Sequence, residues 1–257
     1  MINLLKNKKN QIPPIEVDYA SMEEYFEKMN YGKAKTNNEQ FEKDGYLVVK
    51  NIWDPKDLFC DVPDIRGGLH YHGKIDKFMH HPEEAQVPGS LARYSYPPYK
   101  FYHSQIRLKI EKEIGKKLLN TYYYDRYYFT GQQLTKHCDR PSCEISVTFH
   151  ISTNTDKCWP IWVKTPDTYD DLSKNNEDRI VIKKGEERSI CLSPGDCVIY
   201  KGCERPHWRN PLESKYNKVE RFFNKIKGKE DDTYYHQVFF HYVLADGVYS
   251  HFSGDRK

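Results

Sequence analysis

The sequence predicts a mainly β fold with flanking helices, in which short strands form a jelly roll. The second half of the chain consists of short apolar runs separated by turn signals, the strongest of which is the SPGD segment at residues 193–196. The segment CEISVTFHIS, residues 143–152, alternates apolar and polar residues as a half-buried strand does. Helical periodicity is confined to the first half. Many short strands with turns between them are typical of sandwiches and barrels.

Residues 16–120 are expected to form a helical and loop region that supports the core, after a flexible tail at residues 1–15. Apolar and aromatic residues at mixed helical spacing predict a short helix within residues 15–34. The segment FEKDGYLVV, residues 41–49, then indicates the end of a helix, a turn and a short strand. Residues 54–100 are irregular and rich in Pro, Gly, His and Tyr, which predicts long loops.

A longer helix is predicted over residues 102–119, because apolar residues recur there every four positions opposite a charged face. Asn120 is expected to end it. The recurring apolar residues are Ile106, Ile110, Ile114 and Leu118.

The β core is expected to span residues 121–247. Polar and charged stretches at residues 165–187 and 215–232 are predicted to be exposed segments between its strands. No internal repeat and no linker divides the sequence, so residues 1–257 are expected to be a single domain. The predicted strands are residues 121–129, the stretch after Gly131 that ends in His137–Asp139, and residues 144–152, 158–164, 188–192, 197–200, 207–209 and 234–244.

Composition argues against several classes of protein. The net charge of +3 is too small to indicate a nucleic-acid partner. No apolar run approaches the roughly 18 residues needed to span a membrane, and the N-terminus does not resemble a signal peptide. The seven cysteines are odd in number and include no C-x-x-C pair, which predicts reduced thiols in a cytoplasmic protein. The sequence predicts no membrane partner and leaves the oligomeric state open.

The segment YFTGQQLTKHCDR, residues 128–140, contains the main candidate for a functional site. On a strand, His137 and Asp139 would point to the same face. One more histidine would complete a two-histidine, one-carboxylate triad, which is typical of non-haem Fe(II) oxygenases. The H-x-D pattern is short, however, and an exposed strand with a polar face would show it as well.

With these residues in view, the chain resembles the Fe(II)/2-oxoglutarate-dependent dioxygenases, near their prolyl 4-hydroxylase and phytanoyl-CoA dioxygenase branches. The segment at residues 128–140 is similar to the hydroxylase pattern, and FEKDGYLVVKN, residues 41–51, looks like the opening strand of the phytanoyl branch. LSPGDCVIY followed by a histidine is similar to the turn before the family's distal ligand, and HQVFFHYV to its closing strand. The resemblance implies a cupin-like double-stranded β-helix with helices packed on one side.

The resemblance also implies the third metal ligand. His150, His207, His236 and His241 are the candidates. His207 follows the Gly-Asp turn at the family's spacing, whereas the closing strand, with His236 and His241, has no ligand in the family. His150 lies on the strand immediately after the H-x-D pair. The expected catalytic and metal-binding set is therefore His137, Asp139 and His207.

Fe(II), 2-oxoglutarate and O2 are the cofactor and co-substrates that the resemblance implies. The expected reaction is hydroxylation of an unactivated C–H group, coupled to decarboxylation of 2-oxoglutarate to succinate. A peptidyl residue, a free amino acid and a small metabolite all remain possible substrates. The alternative is a non-catalytic, cupin-like protein whose jelly roll keeps a metal for structure only.

The family usually places a basic residue for the distal carboxylate of 2-oxoglutarate on the closing strand, but residues 234–244 contain no Arg or Lys. Arg209 is the expected replacement, because it lies two residues past His207 and would share its strand face. Tyr128 and Gln237 are further candidates for binding the co-substrate, and Arg140 for binding the substrate. Arg221 is a weaker alternative to Arg209.

Overall fold

Two antiparallel sheets dominate the computed structural model. It describes residues 39–61, 69–72, 77–80, 86–166, 172–174, 180–182 and 184–255, all within one compact unit, Thr36–Lys257. In chain order the strands are β1 (Tyr46–Val49), β2 (Leu69–His72), β3 (Lys77–His80), β4 (Leu91–Tyr94), β5 (Leu118–Phe129), β6 (Leu134–His137), β7 (Ile145–Thr153), β8 (Ile161–Thr165), β9 (Leu172–Lys174), β10 (Ile180–Ile182), β11 (Glu186–Ile190), β12 (Cys197–Lys201), β13 (His207–Arg209) and β14 (Tyr234–Leu244).

The larger sheet has the strand order β1-β12-β7-β14-β5-β4-β2-β3. Its pairs are antiparallel, apart from the parallel pair of β2 and β4. The smaller sheet has the order β11-β8-β13-β6. Such a pair of sheets is the jelly-roll core that the sequence predicted, and the predicted fold class is confirmed.

One apolar core lies between the two sheets. Tyr128 and Phe239 of the larger sheet meet Leu134 of the smaller one, together with Trp159 from the segment before β8. A second group joins Ile161 and Val163 of the smaller sheet to β12. Side chains that point into the space between the sheets are therefore largely shielded from solvent.

The outer face of the larger sheet is covered by a helix. The helices are α1 (Glu39–Asp44), α2 (Lys100–Ile114) and α3 (Lys218–Ile226). The buried α2 residues Ile106, Ile110 and Ile114 belong to the same apolar cluster as Val147 of β7 and Phe240 of β14. The predicted helical support on one side of the core is therefore present.

Strand β7 is buried on both faces. Its apolar residues, among them Val147 and Phe149, point toward α2, as the alternation predicted. Its other face carries Ser146, Thr148 and His150, all at most 1% exposed. The polar side of this strand thus faces the space between the sheets and not solvent.

The end predicted for α2 was wrong. The helix ends at Ile114 and is capped by Gly115. This glycine has the left-handed φ of 68° and donates its N–H to the carbonyl of Glu111. Glycine adopts this conformation without the steric cost that a Cβ adds. The chain then enters β5 at Leu118, so Asn120 lies in a strand. The four-residue spacing of apolar residues continues to Leu118, beyond the helix, by coincidence.

Three segments expected to lack regular structure contain some. Residues 54–100 include β2, β3 and β4, and residues 165–187 include the paired strands β9 and β10. The charged segment at residues 215–232 contains α3, whose first turn is capped by Asn217 and Glu220. The tail at residues 1–15 and the helix predicted within residues 15–34 lie outside the described residues.

Cysteine pairing also departs from the prediction. Cys158 and Cys191 form a disulfide, so the expectation that all thiols are free was wrong for this pair. The two cysteines lie 33 residues apart in sequence and are brought together by the pairing of β8 with β11, which no spacing rule reveals.

Within the described residues, no helix combines the length and apolar character needed to cross a bilayer.

Candidate metal centre

Two neighbouring strands of the smaller sheet bring together the three expected metal ligands. His137 of β6 and His207 of β13 are direct partners in the strand pairing. Oδ1 of Asp139 lies 3.5 Å from Nε2 of His137 and 3.6 Å from Nε2 of His207. All three ligand atoms lie within 4.8 Å of one another. This is the donor set of a facial triad, with an open side for other ligands.

Backbone carbonyls orient both histidine rings. Nδ1 of His137 donates a hydrogen bond to the carbonyl of Thr135 at 2.8 Å, and Nδ1 of His207 donates to the carbonyl of Arg205 at 2.9 Å. Each acceptor lies two residues earlier in the same strand or turn. Because Nδ1 carries the proton, Nε2 of both rings keeps the lone pair that a metal requires.

The second oxygen of Asp139 is held by Ser146 of β7. The Ser146 hydroxyl donates to Oδ2 of Asp139 at 2.7 Å and lies 3.0 Å from Nδ1 of His241, which then acts as the donor to the hydroxyl oxygen. Gly202 makes room for this contact. A Cβ at Gly202 would lie 2.5 Å from Oδ2 of Asp139 and 2.5 Å from the Ser146 oxygen.

Electrostatics keep Asp139 ionised. Burial raises the pKa of this carboxyl, but His207 and His137 outweigh that effect and hold its pKa well below the usual range. For His137 burial lowers the pKa, but the hydrogen bond and charge of Asp139 outweigh burial and raise the pKa above its ordinary value. The site therefore carries a negative charge that a divalent cation would neutralise.

A second group of possible ligands, Asp139, Cys143 and His241, shares the carboxylate with the triad. Burial raises the pKa of the Cys143 thiol to about 12, so it stays protonated at neutral pH. Nδ1 of His241 is already bonded to Ser146. The geometry and charge favour the triad of His137, Asp139 and His207 over this alternative.

Gln86 contacts the open side of the triad. Its amide nitrogen lies 3.0 Å from Nε2 of His137, and its amide oxygen accepts a hydrogen bond from Nη1 of Arg126 at 3.2 Å. These contacts fix the amide orientation, so that the nitrogen donates to the lone pair of His137. A metal ion on His137 would take the place of this donor.

Arg209 lies in the core between the sheets and is 2% exposed. Its Nη1 donates to the carbonyl of Trp159, and its guanidinium lies 4.5 Å from the Trp159 ring centroid and 5.4 Å from that of Tyr235. Among the described residues, Nε and Nη2 have no hydrogen-bond partner, and no carboxylate forms an ion pair with Arg209. Burial lowers the pKa of this guanidinium, against the smaller effect of nearby tyrosines.

Several buried polar atoms around Arg209 also have no partner within the described part of the chain. They are the Tyr128 hydroxyl, both amide atoms of Gln237 and Nε2 of His150. Tyr128 contacts the Trp159 ring at 4.9 Å, and His150 stacks on Tyr235 at 4.0 Å between centroids. Burying an unpaired guanidinium among unpaired polar atoms is costly, so this chamber has the properties of a binding site for an anion.

The other histidines considered as ligands have structural contacts. Nδ1 of His150 lies 2.9 Å from the Leu192 carbonyl and from the Tyr235 hydroxyl. His236 lies on the opposite face of β14, where its Nε2 is 2.6 Å from Asp125. Arg140 pairs with Asp255 at 2.5 Å and lies over the Tyr122 ring. Its role in substrate binding stays a prediction.

Sequence reasoning did not find Ser146, Gln86 or Trp159 as members of this site, and it considered His150 only as a possible metal ligand. Ser146 and His150 lie on the polar face of β7, so the alternation of that strand contained a signal for them. Gln86 lies in the segment of residues 54–100, for which the sequence predicted only long loops. Trp159 contacts Arg209 through its backbone carbonyl, and a sequence motif made of side chains cannot reveal such a contact.

Searches against protein-family models and curated proteins found no match. A search of solved structures found similar chains, among them two prolyl hydroxylases and a 2OG-Fe(II) oxygenase family protein. A Pseudomonas putida prolyl-4-hydroxylase has a TM-score of 0.46 and 13% identity, and the match covers 80% of this chain and 96% of that one. A Trichoplax adhaerens prolyl hydroxylase, in complex with a hypoxia inducible factor peptide fragment, has a TM-score of 0.48 and 10% identity, with 85% and 92% covered. A Burkholderia pseudomallei 2OG-Fe(II) oxygenase family protein has a TM-score of 0.48 and 9% identity, with 82% and 91% covered.

Proposed function

We propose that this protein is an Fe(II)- and 2-oxoglutarate-dependent dioxygenase that hydroxylates an unactivated C–H group. The observation that carries the proposal is the pairing of a two-histidine, one-carboxylate triad with a buried arginine that has no carboxylate partner among the described residues. A metal site that serves structure alone has no use for an anion chamber. The non-catalytic, cupin-like alternative is therefore disfavoured.

His137, Asp139 and His207 would hold the metal through Nε2, Oδ1 and Nε2. The donor set fits Fe(II), because two neutral imidazoles and one carboxylate leave adjacent coordination positions open. Iron and 2-oxoglutarate together supply the oxidising chemistry when bound. The protein orients the ligands through Thr135, Arg205 and Ser146.

Arg209 would bind the distal carboxylate of 2-oxoglutarate. Its two unpartnered nitrogens, Nε and Nη2, can meet a carboxylate with paired, charge-assisted hydrogen bonds. Arg209 is two residues past His207, or roughly 7 Å along a strand, which suits a five-carbon diacid. The Tyr128 hydroxyl and the Gln237 amide would donate further hydrogen bonds. The aromatic rings of Trp159 and Tyr235 exclude water from the chamber.

The substrate class is a separate part of the proposal. Peptidyl residues, free amino acids and small metabolites are all compatible with the triad, and Arg140 is the proposed contact to the substrate. Screening substrate panels for stimulation of succinate release would choose among them.

Succinate release from 2-oxoglutarate in the presence of Fe(II) tests the proposed reaction. We expect turnover by the wild-type protein and none by His137→Ala, Asp139→Ala or His207→Ala, with circular dichroism showing that each variant is folded. Full turnover by His207→Ala would overturn the ligand set. Tight metal binding without turnover across the substrate panels would favour the structural alternative.

Anaerobic titration with 2-oxoglutarate tests the role of Arg209. We expect Arg209→Met to weaken binding by roughly 2–5 kcal/mol, the cost of leaving one member of a buried charge pair alone. Iron affinity should stay the same, because the triad is unchanged. Arg188→Met is the matched control, since Arg188 is exposed and pairs with Glu186. Wild-type affinity in Arg209→Met would contradict the assignment, and Arg221 or Arg140 would be tested next.

A further inference from the structure

Helix α3 presents an apolar surface that nothing in the described part of the chain covers. The four apolar residues at spacing i, i+3, i+4 and i+7 are exposed by 53–66%: Val219, Phe222, Phe223 and Ile226. They form one stripe along the helix, and no residue of α3 is buried. We call these four residues the α3 stripe.

The helix is well formed although it buries none of its residues. The Asn217 side chain accepts hydrogen bonds from the N–H groups of Val219 and Glu220, and the Glu220 carboxylate accepts one from Asn217 N–H. This capping box is worth roughly 1 kcal/mol or more, as capping residues usually are. At the base of the segment, Asp232 accepts from Lys215 at 2.8 Å and from the Tyr216 hydroxyl at 2.7 Å. The stripe is thus displayed on an ordered support.

Positive charge surrounds the stripe. The stretch from Lys218 to Lys229 has five basic residues and one acidic residue, Glu220, which the capping box uses, and three acidic residues follow it at positions 230–232. Beside the helix, a cavity of about 590 Å³ is lined by Phe222, by four basic residues (Lys218, Arg221, Lys225 and Lys229) and by two acidic ones (Glu230 and Asp231), so its lining has a net positive charge. The same helix therefore combines apolar side chains with a cationic cavity that has the size for an anionic headgroup.

We propose that α3 docks on the surface of an anionic lipid bilayer. The α3 stripe enters the boundary of headgroups and acyl chains, and the surrounding lysines and Arg221 contact the phosphates, as in other interfacial amphipathic helices. A second copy of the chain is a poorer partner, because pairing two stripes would bring two sets of positive charges together. This proposal departs from the expectation, drawn from the sequence, that the chain has no membrane partner. It does not depend on the proposed oxygenase activity.

Co-sedimentation of the full-length protein with vesicles tests the proposal. We expect binding to phosphatidylcholine vesicles that contain phosphatidylserine, no binding to phosphatidylcholine alone, and loss of binding at high salt. Phe222→Ser/Phe223→Ser should lower the partition coefficient by roughly 10- to 100-fold. Lys218→Glu/Arg221→Glu/Lys225→Glu should lower it by more than about 100-fold.

Matched controls separate the effect of the α3 surface from the effects of losing any exposed apolar side chain and of changing the net charge. Phe101 is 61% exposed, the same fraction as Phe222, so Phe101→Ser controls for the apolar change. Lys56→Glu/Lys100→Glu/Lys117→Glu, at exposed positions outside α3, controls for the change in net charge. Both controls should bind vesicles like the wild type.

Four outcomes would overturn the proposal. The first is no binding of the wild type to anionic vesicles, and the second is equal loss in the α3 variants and their controls. The third is a wild-type dimer in analytical ultracentrifugation that Phe222→Ser/Phe223→Ser converts to monomer, since a second copy would then cover the stripe. Soluble glycerophosphoserine should fail to compete at millimolar concentration. Full competition by it would show a site for the free headgroup and would also overturn the proposal.

Discussion

Asp139 uses its two carboxylate oxygens differently. Oδ1 faces the two histidine nitrogens, and Oδ2 accepts the hydrogen bond from Ser146. A carboxylate held in this way needs no rotation to bind a metal. Ser146 would therefore act on a metal bound by the proposed triad through Asp139, as a positioning residue.

Ser146→Ala should weaken Fe(II) affinity by roughly 10- to 100-fold, the range for partners that orient a metal ligand. Anaerobic titration with Fe(II) measures the change, and affinity for 2-oxoglutarate, which we propose that Arg209 binds, should vary much less. Thr148→Val is the control, because Thr148 lies on the same face of β7 and its hydroxyl contacts Tyr200. Equal effects of the two substitutions would show a general loss of packing.

The protonation of His137 sets the pH dependence of metal binding. Asp139 raises the pKa of His137 above its ordinary value of 6.5 despite burial, so in the metal-free protein a proton competes with the metal from above pH 6.5 downward. Asp139 stays ionised over this range. Fe(II) affinity should fall by about tenfold per pH unit once the pH is below the pKa of His137. Constant affinity between pH 8 and pH 6 would contradict this.

At the scale of the elements, Gly202 follows β12 and allows that strand's end to pass close to the metal ligands. Gly202 accepts a hydrogen bond from Asp139 N–H at 2.9 Å, and its missing Cβ leaves space for the Asp139 carboxylate. The turn after β12 and the end of β6 can approach one another this closely only at a residue without a side chain.

Gly202→Ala should therefore impair metal binding as well as stability. The added methyl would lie 2.3 Å from the Cys143 carbonyl and 2.5 Å from Asp139 Oδ2, so the carboxylate or the backbone must shift. We expect a loss in Fe(II) affinity of at least roughly tenfold and a stability loss of about 1–3 kcal/mol. Gly228→Ala is the comparison for iron affinity: no atom lies within 4 Å of the new Cβ, and the only strain comes from the left-handed φ of 64°, far from the site. Unchanged iron affinity in folded Gly202→Ala would contradict the role of this close approach.

The sequence predicts an element well when the ends of its apolar run are clear, and poorly when the run is mixed or very short. Strand β14 was predicted at residues 234–244 and forms at Tyr234–Leu244, because a long apolar run between polar segments has clear ends. The predicted end of α2 was wrong because one glycine ends the helix, although four evenly spaced apolar residues indicated a longer one. Strands β2, β3, β4 and β9 were missed because their sequences mix apolar with polar or charged residues, and β10, although apolar, because it is only three residues long within a charged segment. For the site, the H-x-D motif indicated two ligands, while the partners of Arg209 depend on contacts between distant strands.

At the scale of the whole molecule, the Cys158–Cys191 disulfide lies next to the chamber of Arg209. Cys158 precedes Trp159, whose carbonyl accepts from Arg209, and Cys191 precedes Leu192, whose carbonyl accepts from His150. The bond therefore ties together two of the backbone segments that line the chamber. It also closes a loop that spans 33 residues in the unfolded chain.

Cys158→Ser/Cys191→Ser should lower the free energy of unfolding by about 3–4 kcal/mol, the loop-closure contribution expected for this separation. Urea unfolding measures the change, and dithiothreitol should reproduce it in the wild-type protein. Cys138→Ser is the control, because Cys138 is exposed and takes no part in a disulfide. If the double variant and the control unfold at the same urea concentration, the bond does not contribute to stability.

The position of His207 and Arg209 on one strand limits which insertions and deletions the chain can tolerate. His207 and Arg209 share one short strand, and successive side chains on a strand alternate between faces. A substitution removes one of the two residues, whereas insertion or deletion of one residue before His207 would turn both away from the core together. Loops elsewhere can change in length, but the turn between β12 and β13 is expected to keep its length among functional descendants.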